Sequence, residues 1–298
     1  MAFRIDPEDA SGEPLKQAVR EQAEKARLAL RERPEGDAEA VHDARKRFKK
    51  IRSALRLVRP ALGPAYKREN ARWRDAGRRL EAARDAAALA ETAASARRLC
   101  AESVEDALFD AVEAALTRRR EAAERGLDGR IRQTLKDVEA GLRALDGLDV
   151  EGAAPLWRSG LKKTYGRGRD AFRGCRAMEA AGAPVDPALW HDWRKRAKHH
   201  RLHMRLLRPL WKDEMKARED RAGALGDALG AERDFMLLIE ALEPAPKGLD
   251  AAAARDLRAV LEARRERFRS DALRLGAALY AETPKALARR CDRYREAA

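Results

Sequence analysis

Cysteine is scarce in this chain of 298 residues: Cys100, Cys175 and Cys291 are odd in number, far apart and without CxxC spacing. Such usage supports neither a disulfide scaffold nor a structural zinc site. No run of 18 or more apolar residues occurs, which excludes a hydrophobic helix of bilayer length. The opening MAFRIDPEDA lacks the charged, apolar and small-residue succession of a secretory leader, so the expected compartment is the cytoplasm. Aromatics make up 5% and charged residues 38%, a balance that disordered chains share. Runs of β-branched residues and strict apolar/polar alternation are missing as well, leaving little to build a sheet. Leu, Ala, Glu, Lys and Arg fill the chain instead. These are strong helix formers, and an all-α protein follows.

The net charge is +14, and its location decides what it means. His42 to Arg59 holds eight basic residues and one acid, Asp43; His191 to Arg208 holds seven and one acid, Asp192. The other 262 residues carry 49 basic and 48 acidic groups and are nearly neutral. All five histidines (His42, His191, His199, His200 and His203) lie in or at the edges of the two windows.

The windows are one sequence written twice. HDARKRFKKIRSALRLVRP and HDWRKRAKHHRLHMRLLRP align at a shift of 149 residues, without a gap, and the register runs on through Lys67/Lys216, Arg72/Arg221, Gly77/Gly226 and Arg84-Asp85/Arg233-Asp234. Between positions 42 and 85, 18 of 44 residues are identical. The chain thus divides into halves of one design, 1–147 and 148–298, joined at LDGLDVEGAAP, where Gly, Asp and Pro cluster as in linkers. Periodicity and proline placement predict helices near 13–33, 38–59, 64–93, 95–146 (broken around Gly126-Gly129), 155–180, 187–208, 212–241 and 250–295 (broken at Pro284). Two four-helix bundles with a basic groove or cavity between them are the simplest arrangement.

On a helical wheel the repeated segment has two faces. His42, Arg45, Lys46, Lys49 and Arg56 fall within about 60° of one another's mean, opposite Ala44, Phe48, Ile51, Leu55 and Val58. In the second copy His191, Arg194, Lys195, Lys198 and Arg205 oppose Trp193, Ala197, Met204 and Leu207. Solvated helix faces ordinarily mix signs, whereas like charges at i, i+3, i+4 and i+7 repel by a few tenths of a kcal/mol per pair. A polyanion would neutralise such a stripe. Arg supplies bidentate hydrogen bonds to phosphate oxygens and Lys a compact charge, so a mixed ladder suits a phosphate chain. Nucleic acid is the rival, but these faces carry no aromatic for base stacking and no Asn or Gln for base edges.

Other readings are weaker. His199 and His203, at i and i+4, have metal-holding spacing, yet no carboxylate or Cys joins them and Lys198 and Arg201 crowd the place with positive charge. A phosphorylated histidine would want a nucleotide-binding Gly-rich segment, and phosphoryl transfer would want acids for Mg²⁺; the basic faces offer only Asp43 and Asp192. Binding without catalysis, cofactor or metal is therefore expected. His200 falls on the apolar side and reads as core. Trp73, Trp157, Trp190 and Trp211 read as core or interface anchors. Lys162, Lys163, Arg167 and Arg169 in LKKTYGRGRD form a further basic cluster that could extend the anion surface.

The HDxRKRxKxxR helix, its second copy after YGRGR, and the later Leu225-Gly226 to Arg233-Asp234 segment, weaker at Ala76-Gly77 to Arg84-Asp85, resemble the CHAD family of histidine-bearing α-helical domains. The resemblance covers nearly the whole chain. It implies paired four-helix bundles around a basic surface, binding of inorganic polyphosphate, and association with polyphosphate granules. It assigns binding to His42, Arg45, Lys46, Lys49, Arg52 and Arg56, and to His191, Arg194, Lys195, Lys198, Arg201 and Arg205, with Lys50 beside them. No strand of alternating glutamates marks a fused triphosphate-tunnel domain, so the chain resembles the stand-alone binding type. Trp193 and His199-His200 depart from the first copy, so the halves need not contribute equally.

Overall fold

The computed structural model describes residues 3–102, 105–150, 152, 155–243 and 245–297. Residues 151, 153 and 154 of the expected joint lie outside them. Among the described residues there are eleven α-helices and no strand: α1 (Glu13–Glu32), α2 (Asp37–Leu57), α3 (Ala65–Arg79), α4 (Glu81–Leu99), α5 (Asp106–Glu124), α6 (Leu127–Asp146), α7 (Arg158–Ala180), α8 (Pro187–Leu206), α9 (Lys212–Ala241), α10 (Ala251–Leu279) and α11 (Pro284–Glu296). A 3-10 turn, Arg208–Leu210, links α8 to α9. No helix among the described residues is long and apolar enough to cross a membrane.

Local chemistry sets the helix ends. Asp186 accepts from the Ala188 N–H ahead of Pro187, Asp250 from the N–H groups of Ala252 and Ala253, and Thr283 from Ala286 N–H ahead of Pro284. Gly12, which starts α1, sits at φ 77°, and a Cβ there would fall 2.5 Å from Val150. Only glycine meets both demands.

Two sequence expectations need correction. The stretch 64–93 is two helices, because the backbone breaks at Leu80, and the second of them runs on to Leu99 instead of ending near 93. Arg45 donates through Nη1 to the Gly77 carbonyl, which satisfies an acceptor the end of α3 leaves open. In the second half the corresponding stretch continues unbroken as α9. Trp211, expected as an anchor, is 52% exposed and meets Tyr294 edge-on at 4.9 Å; Trp73, Trp157 and Trp190 are buried.

Residues on both sides of position 147 share each of two hydrophobic clusters. The larger joins Val19, Phe48, Trp73 and Ile131 to Trp157, Tyr165, Trp193 and Leu279. The smaller lies where α4 and α5 meet the far end of α9 and the start of α10, around Leu89, Phe109, Phe235 and Leu261. Helix α2 packs on α8 and α4, α8 packs on α9, and α9 packs on α4. These four helices close a ring.

Candidate anion-binding basin

Burial of one stripe decides where the cations go. Ala44, Phe48, Ile51, Leu55 and Val58 are buried, as are Trp193, Ala197, Met204 and Leu207. The opposite faces of α2 and α8 therefore turn away from the core. The two helices touch where His203 Nε2 donates to the Ser53 carbonyl at 3.0 Å and Ser53 Oγ donates to the His199 carbonyl at 3.4 Å.

Where α2, α4, α8 and α9 meet, Lys198 feels the charge of Lys49. Neither has an ion-pair or hydrogen-bond partner among the described residues. Desolvation, then Arg45, Arg194 and Arg84, lowers the Lys49 ammonium from 10.5 to about 8. Desolvation, then Arg194 and Lys49, lowers that of Lys198 to about 7. Lys49 is exposed and Lys198 half-buried, so the cluster is open to solvent. Arg84 and Arg233 belong to it: Arg84 acts on Lys49 and His42, Arg233 on Arg194 and His191. Sequence analysis placed these two arginines only in the repeat; their 149-residue spacing was the available signal. Acids border the cluster: Glu81 stands 3.3 Å from Arg45, Glu91 3.3 Å from Arg84 and Asp234 4.0 Å from Arg194.

Three glycines of α9 lie against the α8 cations. A Cβ at Gly223 would lie 3.3 Å from Arg201, one at Gly226 3.6 Å from Lys198, and one at Gly230 3.8 Å from Arg194. The cationic side chains thus lie in a row along a smooth surface.

The remaining candidates separate into flanks. Arg52 donates to Asn70 Oδ1 at 3.1 Å, and Arg56, with Arg59, Lys163 and Arg167, lines a recess of about 240 Å³. On the other side Lys50, Arg201 and Arg205 line one of about 500 Å³ together with Arg47 and Arg208. Sequence reasoning left Arg47 and Arg208 out of the site; their basic character was visible, their position across the helix crossing was not. Lys46 and Lys195 are exposed at the margins, 3.9 and 3.3 Å from Asp43 and Asp192. Arg169 donates to the Tyr280 carbonyl at 3.1 Å and Lys162 is exposed, so neither joins these recesses.

Asp43 and Asp192 hold the arginine one turn on, Arg47 at 3.1 Å and Arg196 at 3.0 Å. Burial and Arg233 lower His191 to about 4, and burial and Arg84 lower His42 below its usual value. His191 is neutral at pH 7 and serves as a hydrogen-bonding group there. His200 is fully buried, 5.1 Å from the Tyr165 ring. His199 and His203 face Arg56, Arg52 and Arg196 rather than carboxylates.

An all-helical protein with basic residues gathered where α2 and α8 cross is the class that fold and site define. The chain belongs to the CHAD domain family, whose model matches residues 13–243. Among solved structures it is similar to PptA from Streptomyces chartreusis, at 18% identity and a TM-score of 0.62, over 92% of this chain and 100% of that one. It is also similar to the CHAD domain from the plant Ricinus communis, at 21% identity and a TM-score of 0.61, over 94% and 95%. No curated protein matches it significantly. At these identities the likeness is one of fold.

Proposed function

We propose that this protein binds inorganic polyphosphate in the basin between α2 and α8, without chemical turnover. The supporting observation is the meeting of Lys49 and Lys198 inside a ring of arginines, with no carboxylate on either ammonium. Cations gathered against their own repulsion and desolvation need an anion of several charges. Family membership points to the same ligand, as the sequence resemblance implied.

The basin members pair at the 149-residue shift: Arg45 with Arg194, Lys49 with Lys198, Arg84 with Arg233. Electrostatic surroundings pair likewise, since Lys50 feels Arg47 and Arg205 while its counterpart His199 feels Arg196 and Arg56. A pseudo-two-fold between the halves fits this pattern and gives a groove suited to a linear ligand whose charge repeats. Cytoplasmic polyphosphate granules would then be its place of action.

Titration of the whole protein with labelled long-chain polyphosphate and with duplex DNA of equal charge tests the reading at physiological salt. Polyphosphate binds tighter by at least about tenfold if the reading holds. Equal or tighter binding of DNA would move the assignment to nucleic acid. Phosphate release with Mg²⁺, abolished by His42→Ala, would establish turnover instead.

A further inference from the structure

We propose that the recess on the Lys50 flank captures the terminal phosphate of a linear polyphosphate, so that the protein recognises chain ends as well as chains. The proposal rests on polyphosphate being the basin's ligand and adds a subsite to it.

Lys50 is 9% exposed, and its ammonium lies 5.7 Å from the centroid of the Phe3 ring. It has no ion-pair partner among the described residues. Aromatic attraction offsets only part of the cost of sealing a cation from water. An anion entering the recess would supply the rest. The donors around it are already oriented: Arg205 and Arg208 share one buried acid, Glu219, and Arg47 is held by Asp43 and Gln22. Two guanidinium groups on a single carboxylate leave positive charge and unused N–H groups, in fixed positions, for phosphate oxygens. The lining as a whole carries eight Lys or Arg residues against two carboxylates.

The N-terminal segment walls one side of the recess. Phe3 and Arg4 line it, and the segment that carries them is tied down where Ile5 N–H donates to the Leu206 carbonyl at 3.0 Å and Trp157 Nε1 donates to the Pro7 carbonyl at 3.1 Å. Arg201 connects it to the basin, since its guanidinium lies on Gly223 beside the Lys198 position and also lines the recess. A chain leaving the basin along Arg201 meets that strap. The opposite flank is built differently: its recess is about half the size, and His199 stands where the repeat places Lys50. An end group of the chain bears a second ionisable oxygen that internal phosphates lack, and it carries close to two charges at neutral pH. The flank with the buried lysine suits it.

Linear and cyclic hexaphosphate differ in having ends, and their competition for the full-length protein at fixed ionic strength tests the proposal. The linear form is expected to bind about tenfold tighter. Lys50→Met, its fold checked by thermal unfolding, is expected to weaken linear binding far more than cyclic and to bring the preference below about twofold. Lys216→Gln, at the exposed rim, should erode the preference in the same direction, and Lys49→Met in the basin should weaken both ligands alike. Equal binding of the two forms by the unaltered protein overturns end recognition, as does a preference that survives both Lys50→Met and Lys216→Gln; the basin reading then stands. Failure of either hexaphosphate and of long chains to bind overturns the basin reading itself.

Discussion

Polyphosphate binding should draw protons out of solution, because the basin lysines titrate near neutral pH when it is empty. Lys198 stands at about 7 and Lys49 at about 8 in the free protein. A bound polyanion restores both towards the ordinary lysine value, so the bound state holds more protons and affinity falls as pH rises. At pH 8 about nine-tenths of Lys198 and about half of Lys49 would be neutral, so binding takes up about 1.4 protons. Between pH 6 and 8.5 the Lys198 contribution alone weakens binding about thirtyfold, and the full Lys49 contribution raises this to about a hundredfold. Solvent contact at Lys49 trims its share, which leaves about thirtyfold as the lower expectation. Internal phosphates of a long chain stay ionised throughout, so the slope belongs to the protein.

The assay is calorimetric titration with long-chain polyphosphate at constant ionic strength, in buffers of differing ionisation enthalpy, which counts the protons directly. The double variant Lys49→Arg/Lys198→Arg keeps the charge without a group that titrates in this range, and its affinity should be flat with pH. A change under about threefold across the same window in the unaltered protein would refute the reasoning. So would an equal slope in the double arginine variant, which would place the titrating group elsewhere.

Two substitutions test the frame that holds the basin. At Gly160, where α7 passes the end of α2, a Cβ would sit 1.8 Å from the Leu57 carbonyl oxygen, so Gly160→Ala must push the helices apart; a loss of about 3 kcal/mol is expected in denaturant unfolding, and a loss below about 0.5 kcal/mol would contradict the close approach. Glu219 is 2% exposed between Arg205 and Arg208, so Glu219→Gln leaves two guanidinium groups without their acid and should cost about 3 kcal/mol in the same measurement, while added polyphosphate recovers part of the lost thermal stability by occupying that flank.

The helical content and the principal cationic residues were legible in the sequence because both depend on short periods. A wheel separates Lys49 from Phe48 without reference to any other helix. It could not show that the cations of α2 divide among three surroundings. Lys49 faces Lys198 within the ring, Lys50 turns to Phe3 and Arg205, and Arg56 turns to Arg167 across α7. Helices that cross share only part of their faces, and the angle at which they cross is set by tertiary packing. The break at Leu80 was hidden for a related reason. The open Gly77 carbonyl at the end of α3 is met by a guanidinium from α2, a contact between residues 32 positions apart.

Duplication alone does not make the two halves equal, and two of the departures fall where the ligand would end. The central pairs Arg45/Arg194 and Lys49/Lys198 keep residue type, whereas Lys50 has become His199, and Asn70, which accepts from Arg52, corresponds to the buried acid Glu219. A carboxylate at Glu219 fixes two arginines on the Lys50 flank. On the other flank Asn70 fixes one without cancelling charge. Burial and Arg56 keep His199 neutral, so that flank also lacks the cation that Lys50 provides opposite. A symmetric ligand lying across the middle would therefore meet equal pairs at its centre and unequal chemistry at its ends. Polyphosphate bound by this protein should accordingly sit with one end held more firmly than the other, which ³¹P relaxation of the unmodified chain-end phosphates would report as two populations of distinct mobility. A single mobility would mean that the changes at positions 199 and 219 serve packing alone.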